Sequence, residues 1–465
     1  MNSQEHKEWV KSIQEKLNEA QQFITRKSWE KCCIYRMPRR IRDAQKSKKS
    51  YEPQTISIGP YHTGSELVQD MDLYKWVALH QILQRTRQDL NLYLDTIRQV
   101  EDQARGCYQQ VNHLSSNKFV EMMVLDGCFI AELLRCYQAR DTTGGNPVFA
   151  NKRIVEDIVL DMVMLENQVP LFIIDRLLKL MNGNQHQYDQ ALDLVLSFFN
   201  PIWLTGIRMS INELNELNSS LKQEECLHVL DVFRRSLLHV RPQQQDTINK
   251  HRFRWMICDK LVPMCLKRWL NKAPDSISSR EQVLYRVTEL RKGGVKFRKR
   301  NTSCLLDFRF KNGVFEIPPI WIQDSTMTIL LNIAAFEHCH MKISDAAIAS
   351  YVVFMECLIK SPEDVGHLHR RGIILGDDAQ AVDLFKSVSK EMLVNVHDGY
   401  YADLSKEVNA YYNQRRNRWR ASLLQKYFHN PWSIISLVAA IILLFLTAIQ
   451  SFYAVFSYHR PKSSK

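Results

Sequence analysis

The chain has 465 residues, a net charge of +12, and a composition 45% hydrophobic and 24% charged. These proportions exclude an intrinsically disordered chain, and the length calls for one large or two closely packed domains. A basic balance invites nucleic acid or anionic lipid, and the membrane anchor read below favours lipid over nucleic acid.

Residues 4–26 carry Trp9, Ile13, Leu17, Ala20 and Ile24 at spacings of four, four, three and four, one stripe of an amphipathic helix. It packs either on the body or on a partner, and the body is expected. The start has no apolar h-region, so no cleaved secretory signal is visible. Eleven cysteines without a Cys-x-x-Cys pair read as reduced, mostly buried thiols.

A basic segment, 36–49, leads into Tyr51-Glu-Pro-Gln-Thr-Ile-Ser-Ile-Gly-Pro-Tyr-His62. Prolines and glycines bracket Thr55–Ile58, which predicts a short strand and a fixed turn. Tyr61 and His62 on that turn either line a site or belong to a structural latch. Helical spacing predicts one long helix over 67–97 and a second, apolar nearly all round, over 117–137. Glu121 and Asp126 lie on the second, beside Gly127; buried carboxylates serve acid–base chemistry or core ion pairs.

Beyond Gly144-Gly-Asn-Pro147, one helix is expected to end near Glu166 and another to start at Pro170. Glu166, Asn167 and Gln168 between them must find partners, and capping that joint is the economical reading. Residues 182–252 are more polar, include a surface loop at Arg241-Pro-Gln-Gln-Gln-Asp-Thr, and suggest a boundary or insert.

Ser278 and Glu281 suit a capping box opening a helix over 282–292. Six cations in the ten residues 291–300 suit phosphate, an acidic partner or a solvated face. Alternation over 304–310, the turn Asn312-Gly313 and a return over 314–318 predict a β-hairpin, with the strand near Ile56 as a third member. Helix resumes over 321–356. Ser361-Pro362 opens another helix that ends at Gly372, and Asp377 caps the next.

The stretch Pro431 to Tyr458 contains no ionisable acid or base, long enough for a transmembrane helix with Trp432 and Tyr458 at its two interfaces. Gln450 is its one strongly polar side chain. Arg415, Arg416, Arg418, Arg420 and Lys426 precede it, so the body is expected in the cytosol and the chain in a membrane as a single-pass, C-terminally anchored protein. The expected fold class is mainly α with some β: a large helical body, a small β-hairpin or sheet, and one C-terminal transmembrane helix. The expected divisions are an N-terminal helix over 1–30, a globular domain over 31–428, the span over 431–458 and a tail over 459–465.

Dinucleotide, P-loop, serine-hydrolase, metalloprotease and zinc-finger patterns are absent from the sequence. His338-Cys339-His340 and His367-x-His369 lack the paired spacing of a structural zinc site, so neither metal nor cofactor is expected.

Several segments together resemble the plant family catalogued as domain of unknown function 247. They are Ile34-Tyr-Arg-Met-Pro, the Tyr51–His62 stretch, Met123-Val-Leu-Asp-Gly-Cys-Phe, Leu165-Glu-Asn-Gln-Val-Pro, Gly294-Val-Lys-Phe, Asn312-Gly-Val-Phe-Glu-Ile-Pro, Asn332-Ile-Ala-Ala-Phe-Glu, Asp364-Val and Asn430-Pro-Trp. Thr63 stands where the family often has a second histidine. The resemblance implies a plant membrane protein with a C-terminal anchor and supplies no activity, cofactor or catalytic residue. The association of some grass relatives with self-incompatibility points to recognition.

The expected partners are therefore the lipid bilayer and unidentified proteins, not nucleic acid. The leading reading is a non-enzymatic interaction protein. The alternative is an enzyme with a site near Tyr61, His62, Asp126 and Glu166.

Overall fold

The computed structural model describes residues 3–25, 31–38, 48–109, 111, 114–139, 148, 151–183, 190–200, 204–223, 225–238, 284–342, 345–392, 400–414, 416–419, 422 and 431–459. Besides a single turn at Lys48–Tyr51, the helices are α1 (Ser3–Thr25), α2 (Asp72–Thr86), α3 (Leu90–Arg98), α4 (Glu101–Gly106), α5 (Ser116–Ala139), α6 (Lys152–Met162), α7 (Leu171–Met181), α8 (Gln190–Phe199), α9 (Ile211–Leu221) and α10 (Val229–Leu238). They continue as α11 (Val287–Lys292), α12 (Asp324–His340), α13 (Ala347–Leu358), α14 (Pro362–His369), α15 (Asp378–Ser389), α16 (Ala402–Asn413) and α17 (Pro431–His459). Strands β1 (Lys296–Lys299), β2 (Arg309–Lys311) and β3 (Val314–Ile317) form a sheet in the order β1-β3-β2. A two-stranded parallel sheet joins β4 (Ile320–Trp321) to β5 (Ile374–Leu375).

Two compact units divide the chain. One comprises Met1–Asp246, Lys299–Phe308 and Ile317–Ala402; the other Thr247–Arg298, Arg309–Glu316 and Asp403–Lys465. The first is built around α5, against which α2, α3, α7 and α8 pack. Its mostly apolar sequence follows from that central place, since most of its faces meet another helix. Gly127 lets α7 come close: a Cβ there would lie 2.5 Å from Leu177 Cδ1.

In the second unit, Asn312 and Gly313 both have positive φ, 53° and 76°, as the hairpin's type I′ turn requires. The turn aligns Arg309 with Glu316 and Lys311 with Val314. A Cβ on Gly313 would strike the Tyr411 ring, at 2.3 Å from its hydroxyl oxygen.

Several expectations are corrected. Helix 67–97 is interrupted: a 3-10 turn, Glu66–Met71, precedes α2, and Arg87 in the left-handed region, φ 54°, ends it before α3. Helix 321–356 likewise divides into α12 and α13. No strand forms at Thr55–Ile58; the third member of the small sheet is β1. The described part of the α1 stripe does not pack on the body, for Trp9 is 56%, Ile13 39% and Leu17 62% exposed. The Gly144–Pro147 break, the loop at 241–247, the capping box at 278–281 and most of the basic segment 36–49 lie outside the described residues.

The membrane anchor is also corrected. Its segment is helical, as α17, but among the described residues no helix is long and apolar enough to cross a membrane. Pro431, Trp432 and Tyr458, read as the interfacial ends, have helical backbone and side chains outside the described set. Arg416 and Arg418 are exposed, while Arg415, Arg420 and Lys426 lie outside the described residues. The fold class is thus mainly α with small sheets and no membrane-crossing helix among the described residues. The membrane location and the cytosolic orientation that rested on the anchor lapse with it.

Candidate functional site

The segment Glu52–His62 runs through the core of the first unit without a strand beside it. Ile56 and Ile58 are fully buried, so their backbone needs partners that a sheet would otherwise supply. Side chains supply them. Asp161, at the end of α6, accepts from the N–H groups of Gln54 (3.0 Å), Thr55 (2.7 Å) and Ile56 (2.8 Å). Asn167 accepts from Ile58 N–H at 2.6 Å and donates through its amide to the Ile56 and Asp161 carbonyls, each at 3.0 Å. Asp126, midway along α5, accepts from Gly59 N–H at 2.8 Å. Pro53 and Pro60 have no N–H to satisfy.

Gln168 closes the joint between α6 and α7. Its amide donates to the Met162 carbonyl at 2.6 Å and the Met164 carbonyl at 2.8 Å, and its oxygen accepts from Leu230 N–H at 3.2 Å. Its own carbonyl accepts from the Tyr108 hydroxyl at 2.9 Å. Glu166 reaches elsewhere, accepting from Met37 N–H at 2.5 Å and lying 3.5 Å from His62 Nε2. The Tyr61 hydroxyl lies 3.0 Å from the Ile34 carbonyl and 2.8 Å from that of Gln109, donating to one at a time. Thr63 donates to the Gly59 carbonyl at 2.8 Å.

One close ion pair lies inside this cluster. Lys75 of α2 places Nζ 2.8 Å from Asp126 Oδ1, 2.6 Å from the Ser57 carbonyl and 3.3 Å from Asp72. Burial alone would lower the Lys75 ammonium, but Asp126 and Asp72 hold it above its ordinary value. The same burial pushes Asp126 up; its contacts, an ammonium on one oxygen and a backbone N–H on the other, are those of an ion pair. Burial pushes Asp161 up to about 6, against its three backbone donors.

The six sequence candidates Tyr61, His62, Asp126, Glu166, Asn167 and Gln168 therefore do come together, around one buried segment. Tyr61, Asp126, Glu166, Asn167 and Gln168 each bond backbone groups, which fastens chain to chain, while Asp126 also pairs with Lys75 and Glu166 faces His62. Glu121, on the exposed face of α5, is not part of it. Lys75, Asp161 and Tyr108 complete the cluster and were missed. An acid inside the apolar run Ile158-Val-Leu-Asp-Met-Val was the available signal for Asp161; Lys75 offered none. Asn332 of α12 makes a similar tie, accepting from Leu165 N–H at 2.9 Å and donating to the Ser50 carbonyl at 2.7 Å.

The ligand-like pairs are placed apart. His340 Nδ1 lies 3.0 Å from the Tyr35 hydroxyl, and His369 pairs with Asp378 at 2.7 Å. Among the described residues no group of three or more His, Cys, Asp or Glu is placed to hold a metal. A cavity of about 620 Å³ in the first unit is lined by Cys33, Cys107, Leu171, Asp175, Cys226 and His340 among others, and by none of the six candidates.

The profile of the DUF247 family, plant proteins of unknown function, matches residues 34–446. The chain belongs to the DUF247 family. It is 27% identical over 443 residues to the UPF0481 protein At3g47200 of Arabidopsis thaliana, covering 93% of this chain and 88% of the relative. It is 25% identical over 486 residues to the putative UPF0481 protein At3g02645 of Arabidopsis thaliana, covering 88% of each. No solved structure matches. For this DUF247 chain the latch gives the family-like motifs a physical reading: Tyr51–His62 is the strap, and Met123–Phe129 and Leu165–Pro170 carry its fasteners.

Proposed function

We propose that this DUF247 protein is a non-enzymatic recognition protein that binds a helix of another protein along α1. The observation that carries the reading is the exposed apolar stripe of α1. Trp9, Val10, Ile13 and Leu17 are 56%, 37%, 39% and 62% exposed on a helix whose other described side chains are polar. Val10, Ile13 and Leu17 follow the three-four spacing that seats one helix against another, and Ala20 and Ile24 continue it in sequence. The alternative enzyme reading needs Tyr61, His62, Asp126 and Glu166 as reactive groups; the bonds of Asp126 and Glu166 to backbone N–H groups support the non-enzymatic reading over it.

The test compares proximity labelling by the full-length protein and its Trp9→Ala/Leu17→Ala variant in plant cells. The reading expects a defined set of labelled proteins to be lost in the variant while its thermal unfolding is unchanged, because both side chains are exposed. An unchanged labelled set overturns it.

A further inference from the structure

The cavity in the first unit brings together thiols from separate parts of the chain. Cys33 lies on the segment after α1, Cys107 follows α4, and Cys226 precedes α10. Ile34 and Tyr108 form a parallel β-bridge, and both Cys33 N–H and Ile34 N–H donate to the Cys107 carbonyl, at 2.9 and 2.8 Å. Cys33 and Cys107 are therefore side-by-side neighbours one step before the bridge. Paired strands run about 4.8 Å apart, inside the roughly 4.4–6.8 Å Cα separation that a disulfide spans. The Cys107 thiol donates to the Gln103 carbonyl at 3.4 Å. Both are free, and both line the cavity.

We propose that Cys33 and Cys107 form a thiol–disulfide exchange pair that accepts a low-molecular-weight disulfide through this cavity. The two thiols are not equivalent. The neighbouring Cys107 thiol and burial push the Cys33 thiol up, whereas the Cys33 thiol, helped by Lys31 and opposed by burial and Glu225, holds Cys107 down. Cys107 is also the more accessible of the two, 8% exposed against 1% for Cys33, and shares the cavity wall with Lys31, so it is the attacking thiolate and Cys33 the resolving thiol. His228 donates through Nε2 to the Cys33 carbonyl at 3.2 Å and accepts Asp231 N–H at Nδ1, so it holds the Cys33 backbone as a neutral ring. Burial lowers it to about 4.

The exchange balances. The Cys107 thiolate attacks one sulfur of the small disulfide, forming a mixed disulfide and expelling one small thiolate. Cys33 then loses its proton to that thiolate and attacks the Cys107 sulfur, expelling the second. The second thiolate takes its proton from water. Two protein thiols are oxidised to one disulfide, and one small disulfide is reduced to two thiols. Cys128, buried inside α5 and pushed up by burial, lines no part of the cavity and stays outside the exchange.

The test incubates the reduced full-length protein with glutathione disulfide, alkylates the remaining thiols in denaturant, and maps peptides without reduction. The proposal expects the loss of two titratable thiols and a peptide joining Cys33 to Cys107, retained in Cys226→Ser. In Cys33→Ser it expects glutathione to remain attached at Cys107. The wild-type map decides the matter even if a variant fails to fold: all thiols still alkylated, or Cys107 joined to Cys226 or Cys32 instead, overturns the pairing.

Discussion

Lys75 Nζ and Asp126 Oδ1 lie 2.8 Å apart, with both side chains at most 7% exposed. This pair joins α2 to α5 and, through Gly59 N–H, both to the buried strap. Removing one partner from such a pair strands a charge in the core, at a cost of about 3–5 kcal/mol. Lys75→Met is therefore expected to lower unfolding stability in urea by that amount. Lys75→Met combined with Asp126→Asn should lose less than the sum of the two single changes, because the stranded charge is gone. Additive losses would show that the two residues do not act as a pair.

Asp161 offers a sharper test of the latch. Asp161→Ala leaves three strap N–H groups without their acceptor, each worth about 1–3 kcal/mol when buried and unmet. A loss above about 3 kcal/mol is expected, large enough to show in soluble yield. Asp161→Asn keeps one acceptor oxygen and should fall between the alanine variant and the wild type. Hydrogen exchange should quicken first at Thr55 and Ile56, before α5; equal quickening throughout would contradict a local fastening role.

Glu132 of α5 gives a pH signature. Burial alone would raise its carboxyl, but Arg85 and Arg135, at 2.6 and 2.7 Å, hold it down to about 2 from 4.5. A carboxyl lowered by folding contributes stability that is present above its unfolded value and lost as pH falls through the folded one. At about 1.4 kcal/mol per pH unit, discounted because both arginines are partly exposed, the contribution is about 2 kcal/mol. Between pH 5 and pH 2 the wild type should lose about that much more stability than Glu132→Gln. Parallel pH profiles for the two proteins would refute the assignment.

The hairpin at Asn312-Gly313, the capped helix after Ser361 and the Asp377 cap were legible because each depends on neighbours in sequence. The Ser361–Asp364 capping box and the Asp377 side chain on Ala379 N–H need only a few consecutive residues. Thr55–Ile58 misled for the opposite reason. Its β-branched pattern is that of a strand, but its ladder is made of side chains distant in sequence, from Asp161, Asn167 and Lys75. Local pattern reports that a backbone is extended, not what satisfies it. The polar trio Glu166–Gln168 was legible as needing partners; only Gln168 found them chiefly at the joint itself. The α1 stripe shows the remaining limit, since periodicity marks an apolar face without saying what covers it.

Two glycines with positive φ separate backbone strain from crowding. Gly64, φ 80°, has nothing within 4 Å of where a Cβ would stand, so Gly64→Ala meets only the left-handed backbone penalty, about 1–2 kcal/mol. Gly59, φ 75°, carries the same penalty, but its Cβ would lie 2.5 Å from the Gln168 carbonyl oxygen and 3.3 Å from the Tyr108 hydroxyl. That carbonyl is backbone, and it is held by the Tyr108 hydroxyl at 2.9 Å, so it cannot yield cheaply. Gly59→Ala is expected to cost at least about 2 kcal/mol more than Gly64→Ala in urea unfolding. The excess should shrink in a Tyr108→Phe background, where the Gln168 carbonyl is no longer pinned. Equal costs for the two glycines would mean that the strap is not clamped against Gln168.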